Sequence, residues 1–255
     1  MNFNLLLEKI ENSKSIDFGS VFGKAIELFK KTWGQGVLLV IVTFLLMLPA
    51  LMILYVPIIG AAMAQSYNSE MSSEMSPAAM IPFFLLLLPV LLIIQTISLG
   101  LMAGFYKIVR SKDLNREVGN NSLFMFLKKP YLGKLFKLSF FSLVIALLAT
   151  LLCVFPVIYV SVPLAFISII FAFNPELSAK ETLKASFKLG NKKWLITFGL
   201  IVVSSFLAQM VGMILCGIGL LFTASFTYLP TYLVYKEAVG FDDDNEISQI
   251  GTSEV

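Results

Sequence analysis

Long stretches without charged side chains dominate this chain. Residues 32–106, 138–175 and 194–235 contain no Lys, Arg, Asp or Glu, apart from two glutamates in a polar break at residues 65–76. A membrane-spanning helix needs roughly 20 apolar residues, and a backbone in hydrocarbon must satisfy its own hydrogen bonds. The pattern therefore predicts an all-α fold, a polytopic membrane helix bundle.

The distribution of basic residues sets the expected number of crossings. Of the 19 Lys and Arg residues, five lie in residues 1–31, eight in 105–137, five in 176–193, and the last is Lys236. Cytoplasmic loops of membrane proteins are enriched in Lys and Arg. If every basic segment is cytoplasmic, each apolar stretch must return to the side from which it started. This predicts six spans in three hairpins, with the N-terminus and the C-terminus in the cytoplasm.

Helix-breaking residues help to place these spans. Pro156 and Gly217 lie near the middle of the second and third stretches, where a turn between two spans is needed. Residues 1–236 are then one membrane domain, and the acidic residues 237–255 are a disordered cytoplasmic tail. We place the six spans at about 34–59, 79–106, 136–154, 157–174, 194–214 and 218–236.

Three clusters combine two lysines with an aromatic residue directly before a predicted hairpin. Lysine side chains extend to the lipid headgroups, while Trp and Tyr prefer the boundary between membrane and water. We therefore interpret these clusters as interfacial anchors, with a specific lipid site as the alternative. The anchors are Lys30, Lys31 and Trp33, then Lys128, Lys129 and Tyr131, then Lys192, Lys193 and Trp194.

An amphipathic segment precedes each cluster. Residues 18–33 place phenylalanines and other apolar residues at helical spacing, and residues 177–189 begin with the capping-box pattern Ser178-x-x-Glu181. Residues 122–127 are a shorter and weaker copy. The chain thus reads as three units, each a cytoplasmic amphipathic helix on the leaflet followed by a transmembrane hairpin.

Composition restricts the possible chemistry. The 255 residues are 58% hydrophobic and 14% charged, and they include no histidine. The chain therefore lacks His-dependent triads, His-containing zinc sites and His-ligated iron. We expect no catalytic residues, no metal and no cofactor. Cys153 and Cys216 are most simply small apolar residues, with a disulfide as the alternative.

The polar residues at membrane depth are all neutral. Serine and threonine hydroxyls in membrane helices usually bond to neighbouring backbone and hold helices together. Gln95 and Gln209 are the two amide side chains in the predicted spans. A buried primary amide needs partners, so we expect both to face the bundle interior, where they are candidates for a polar cavity.

The charged loops indicate the partners. Residues 105–137 contain eight basic and two acidic residues, and residues 174–193 contain five and two. Anionic lipids attract juxtamembrane lysines, so we expect these loops to contact anionic headgroups of the cytoplasmic leaflet and not nucleic acid.

The order of elements and the stretch from Leu183 to Gly199, LKASFKLGNKKWLITFG, resemble bacterial six-span inner-membrane proteins. They are also similar to the membrane domain that accompanies some glycerophosphodiester phosphodiesterases. The resemblance implies a multi-pass protein of the bacterial cytoplasmic membrane. The phosphodiesterase barrel and its metal-binding residues have no counterpart in this sequence, so that activity is not implied.

Two functions fit the sequence. The first is a non-enzymatic membrane scaffold or lipid-organising protein that uses its cytoplasmic helices and basic loops. The second is a small transporter or exporter of a neutral or lipid-like solute. We favour the first because coupled transport normally needs an intramembrane charge. An intramembrane enzyme is less favoured because no general base is present.

Overall fold

The computed structural model describes residues 1–67, 77–118, 122–152, 154–215 and 217–241. Most of the polar break, both cysteines and the tail beyond residue 241 lie outside the described residues, as do the predictions made for them. Every regular element in the described part is a helix, which confirms the all-α fold. The elements are α1 Phe3–Asn12, α2 Phe18–Tyr67, α3 Pro77–Asp113, α4 Lys129–Leu151, α5 Val154–Phe173, α6 Ala179–Lys192, α7 Trp194–Ile214, α8 Gly219–Thr223, a 3-10 helix Ala224–Tyr228 and α9 Leu229–Val239.

Five of the described helices are long and apolar enough to cross a membrane. Each overlaps one of the first five predicted spans, in the same order along the chain, and the five are compatible with a multi-pass membrane protein. The segments that meet these criteria are Phe18–Gly60, Ile81–Asp113, Lys129–Leu151, Phe155–Phe173 and Trp194–Ile214.

The segment predicted as the sixth span is not one continuous helix. Residues 219–239 form α8, the 3-10 helix and α9 in succession. Nine of the 11 residues of α9 are buried in protein. Its polar groups bond to the end of α3, because the Tyr232 hydroxyl and the Lys236 ammonium both donate to Asp113 Oδ2, at 2.7 and 2.6 Å. A short apolar run is as compatible with a protein core as with lipid, and α9 belongs to the core.

The predicted first amphipathic helix and first span form the single helix α2. No break occurs near Trp33. Within residues 18–33, the most buried apolar positions are Val21, Ala25 and Leu28, at 0 to 4% exposure, whereas Trp33 is 51% exposed. This face packs on protein and not only on lipid, since the rings of Phe22 and Phe29 lie 5.8 and 5.5 Å from the ring of Phe226 in the 3-10 helix.

The second predicted surface helix, α6, is also covered by protein. It begins with the predicted capping box, in which Ser178 N donates to the Glu181 carboxylate at 2.8 Å. Ser186 Oγ donates to the Pro163 carbonyl of α5, and Gly190 lies directly against the backbone of Pro163. The opposite side of α6 contacts α1, where Lys188 pairs with Glu11. Hence α6 is held between α5 and α1 instead of lying alone on the leaflet.

The third predicted amphipathic copy is not a regular helix. Residues 123–126 form turns in which Leu123 and Phe126 are buried. A side chain at Gly104 of α3 would place its Cβ only 2.4 Å from the Leu123 carbonyl oxygen. The small residue therefore allows this turn, and not a second transmembrane helix, to approach α3 closely.

Part of the exposed surface is strongly apolar. Large exposed apolar side chains concentrate in residues 38–63, 81–93, 140–159 and 195–222. None of these segments contains Lys, Arg, Asp or Glu. Water-soluble proteins rarely expose contiguous apolar patches larger than several hundred Å². A surface of this composition is typical of one that faces lipid.

Candidate functional site

A polar cavity of about 350 Å³ lies where α3, α4, α5, α7, the 3-10 helix and the start of α9 meet. Most of its lining residues carry a hydroxyl or amide group, and none carries a formal charge. The lining residues are Gln95, Ser98, Leu99, Met102, Tyr106, Ser142, Ser161, Leu164, Ala165, Ser168, Ile201, Ser205, Thr227, Tyr228 and Thr231.

Helical spacing explains how each helix contributes to this lining. On α3, the cavity contains Gln95, Ser98, Met102 and Tyr106, which are three or four residues apart and therefore share one face. The contributions of α5 follow the same spacing, from Ser161 to Ser168. The helices α3 and α5 thus each line the cavity with one face that carries polar side chains.

Several of the cavity hydroxyls are bonded to their own helices. Ser142 Oγ donates to the Leu138 carbonyl at 2.8 Å, and Ser161 Oγ donates to the Ile158 carbonyl at 2.7 Å. Thr227 Oγ1 likewise donates to a carbonyl one turn earlier, at 2.8 Å. These hydroxyls already donate their hydrogen to a backbone carbonyl, but their oxygen lone pairs can still accept a hydrogen bond from a ligand.

Three other polar groups are free to bind. Within the described residues, the side chains of Gln95, Ser98 and Ser205 have no hydrogen-bond partner. Gln95 can donate and accept, and so can both hydroxyls. The cavity therefore offers both donors and acceptors to a ligand that has hydroxyl groups of its own.

The mouth of the cavity opens beside apolar surface. Gln95 and Ser161 are the exposed polar residues of the lining. Leu88 lies two helical turns from Gln95 on the same face and is 45% exposed, and Val157 lies one turn from Ser161 and is 38% exposed. A ligand bound beside Gln95 or Ser161 would therefore lie close to exposed apolar side chains as well as to polar ones.

The lining limits the chemistry that this cavity can support. The lining includes no carboxylate, lysine, arginine or histidine that could act as a general acid or base. Among the described residues, no group of three or more His, Cys, Asp or Glu is placed to hold a metal ion.

The two glutamines predicted for a polar cavity are not brought together. Gln95 lines the cavity and Gln209 does not, but both side chains are exposed, so neither is enclosed in the bundle interior as expected. Gln209 is adjacent to Ala208, which is buried, so the neighbouring face of α7 meets protein instead. A sequence pattern identifies the helix that carries an amide, but the rotation of the helix decides which way the amide points.

The first two anchor clusters differ in their contacts. Lys30 is exposed, Lys31 Nζ donates to Asn115 Oδ1 at 2.7 Å, and the Trp33 ring lies 6.4 Å from that of Phe222. The second cluster begins α4. Both of its lysines, Lys128 and Lys129, are exposed, and the ring of Tyr131 packs edge-on against that of Phe126 at 5.2 Å.

The third cluster makes the most contacts with protein. Lys192 Nζ donates to the Glu11 carbonyl, and Lys193 Nζ donates to the carbonyls of Ser13 and Lys14. Burial lowers the pKa of Lys193, and the charge of Lys192 lowers it further. Trp194 Nε1 donates to the Tyr159 carbonyl at 3.0 Å. This cluster joins α7 to α5 and to the chain that follows α1.

Sequence reasoning missed most of the cavity. Tyr106 closes it, with its hydroxyl 3.5 Å from the Tyr228 carbonyl. Ser161, Ser168 and Ser205 are ordinary hydroxyls in apolar segments. The one available signal was the spacing of the α3 stripe, which places two polar side chains and a tyrosine on one face of a predicted span.

No family model, no curated protein and no solved structure matches this chain. The basis for a functional conclusion is therefore the geometry of the cavity and of the charged and apolar surfaces around it.

Proposed function

We propose that this chain is a non-enzymatic, lipid-organising protein of the bacterial cytoplasmic membrane that binds a neutral, hydroxyl-bearing amphiphile in the polar cavity. One observation carries the proposal. The cavity combines uncharged donors and acceptors with a mouth beside exposed apolar residues. A molecule with a small hydroxylated head and an apolar tail fits both parts.

The absence of charge in the lining selects the kind of headgroup. The cavity volume of about 350 Å³ is at the small end of the range for ligand sites. A charged headgroup would lose its hydration there without gaining a countercharge, which is costly. A neutral hydroxyl can exchange water for the free groups of Gln95, Ser98 and Ser205 at little cost.

The proposed orientation places the basic ends of the helices in the cytoplasm. The segments rich in Lys and Arg are residues 1–31, 105–137 and 176–193, which include the start of α2, the end of α3, the start of α4 and all of α6, and the exposed apolar segments contain no Lys or Arg. Basic residues favour the cytoplasmic side and attract anionic lipids there.

A second candidate function is transport or export of a neutral or lipid-like solute. One specific observation favours it. Thr227 and Tyr228 line the cavity from the 3-10 helix that interrupts residues 219–239. A stretch of 3-10 helix within a longer helical run often marks a hinge. Movement there would change the wall of the cavity.

The two glutamines provide a matched test of the binding site. Gln95→Leu removes an amide from the cavity, and Gln209→Leu makes the same change on an exposed face of α7. The probe is dioctanoylglycerol, which has a free hydroxyl, offered to the protein in phosphatidylcholine nanodiscs. Trioctanoylglycerol, which has no hydroxyl, is the control ligand.

We expect the wild type to bind dioctanoylglycerol in preference to trioctanoylglycerol. Gln95→Leu should weaken this binding by roughly 3- to 10-fold, the effect of one hydrogen bond, while Gln209→Leu should not change it. Equal binding of the two ligands by the wild type, or equal effects of the two variants, would contradict the proposal. Flux of the same probe across proteoliposomes would favour the transport candidate.

A further inference from the structure

A second groove lies between α4 and the start of α6, apart from the polar cavity. It has a volume of about 430 Å³. Its lining includes Phe136, Phe140 and Phe141 from α4, together with Lys137 of α4 and Lys180 of α6. The groove therefore combines an aromatic wall with two cationic side chains from different helices.

The aromatic wall is suited to an acyl chain. Phe136 and Phe140 are one helical turn apart and are each 47% exposed. The ring of Phe141 lies 6.1 Å from that of Phe140 and extends the wall. Two large rings left half exposed on one face present a continuous apolar strip along α4.

The two lysines of the groove have no countercharge. Lys137 and Lys180 are exposed, and neither has an ion pair or hydrogen bond within the described residues. Other lysines nearby are engaged, because Lys134 donates to the Pro175 carbonyl and Lys188 pairs with Glu11. The groove therefore has two ammonium groups that are available to a ligand.

Glu181, the residue after Lys180, does not neutralise these lysines through a direct contact. Glu181 accepts from the Ser178 backbone N at 2.8 Å and from its hydroxyl at 2.7 Å. These hydrogen bonds from Ser178 hold the pKa of Glu181 below its ordinary value, so the carboxylate remains ionised in its capping role.

We infer that this groove binds one anionic glycerophospholipid, with an acyl chain along the phenylalanines and the phosphate between Lys137 and Lys180. A zwitterionic lipid would bring its own cation next to these lysines. A free phosphate would leave the aromatic wall uncovered. The inference rests on the proposed membrane location but not on the cavity ligand, so either can fail without the other.

The test uses two pairs of lysines with the same loss of charge. Lys137→Gln/Lys180→Gln changes the groove, and Lys128→Gln/Lys129→Gln changes two exposed lysines at the start of α4. Each full-length protein is equilibrated with equal amounts of phosphatidylglycerol and phosphatidylcholine, and native mass spectrometry measures the ratio of the two lipids that remain bound.

We expect the wild type to retain phosphatidylglycerol preferentially. The groove variant should lose this preference by roughly 10-fold or more, because each juxtamembrane lysine contributes about a five-fold attraction. The control variant should change it little. Equal losses in the two variants would mean a diffuse charge effect and would overturn the inference, as would a wild type without preference.

A second measurement locates the lipid. The chain has two tryptophans, so Phe140→Trp in a Trp33→Phe/Trp194→Phe background makes a single reporter in the groove. Brominated phosphatidylglycerol should quench this reporter more strongly than brominated phosphatidylcholine, and Lys137→Gln/Lys180→Gln should remove the difference. Equal quenching by both lipids would show an ordinary lipid-facing surface and overturn the inference.

Discussion

The packing of α2 on the 3-10 helix can be tested with two glycines of the same helix. Gly34 and Gly36 both lie in α2, two residues apart, and so point to different sides. A Cβ added at Gly34 has nothing within 4 Å. A Cβ added at Gly36 would lie 2.1 Å from Ser225 Oγ and 2.5 Å from Ser225 Cβ. Ser225 is 1% exposed, so it has little room to move.

The expected magnitude follows from comparing the two alanine variants. Replacing a helical glycine by alanine stabilises a helix by roughly 0.5–1 kcal/mol, and this gain is the same at both positions. At Gly36 the added methyl must displace a buried neighbour, and overpacking of this kind costs typically 1–3 kcal/mol. We therefore expect Gly34→Ala to be neutral or stabilising, and Gly36→Ala to be less stable than Gly34→Ala by about 1–3 kcal/mol.

Equilibrium unfolding in mixed detergent micelles, followed by circular dichroism, measures this difference. Ser225→Gly should restore stability to Gly36→Ala more than it affects the wild type, because it removes the atoms that the methyl meets. Equal stability of Gly34→Ala and Gly36→Ala would refute the reasoning. It would mean that this part of α2 faces lipid on both sides instead of packing on the 3-10 helix.

Two further predictions concern the capping box and the orientation of the chain. Ser178→Ala should destabilise the protein by about 1 kcal/mol in detergent unfolding. The pKa of Glu181 is held below its ordinary value of 4.5, so the ionised carboxylate should contribute to the free energy of unfolding above that pH. This contribution should disappear as the pH falls, so the difference in stability between Ser178→Ala and the wild type should narrow in acid. A cysteine at Asn115 or Ser178 should not react with a membrane-impermeant maleimide in intact cells, and labelling of either would place a basic end outside.

The sequence predicted helices well where charge marks their ends. The fifth span was expected at about 194–214, and α7 is Trp194–Ile214. Lys193 precedes it and Gly217 follows it, so both boundaries have a local cause. The helix α1 was missed, although Leu6 and Ile10 are spaced by one turn and are both fully buried. Charged residues interrupt the apolar pattern of this short helix, which packs on α6, so the sequence analysis did not identify it.

The cavity could be predicted only in part. Gln95 was identified because a primary amide is costly to leave unpaired in a membrane span. The same argument applied to Gln209, which the structure places on an exposed face of α7. The remaining lining comes from segments far apart in the chain, such as Ser161 and Thr227. Their common position depends on how the helices cross, which no local pattern records.

The sequence by itself determined that the chain is helical and where its apolar segments begin and end. Those properties are local. A backbone removed from water must form its hydrogen bonds within its own helix, and the apolar composition of each segment can be read directly from its residues. Only the tertiary structure decided which apolar face meets lipid and which meets protein. Lipid tails and apolar side chains are nearly equivalent surroundings for a leucine or phenylalanine, so hydropathy does not separate them. This is why α9, α6 and the first turns of α2 were expected at the membrane and instead pack within the protein.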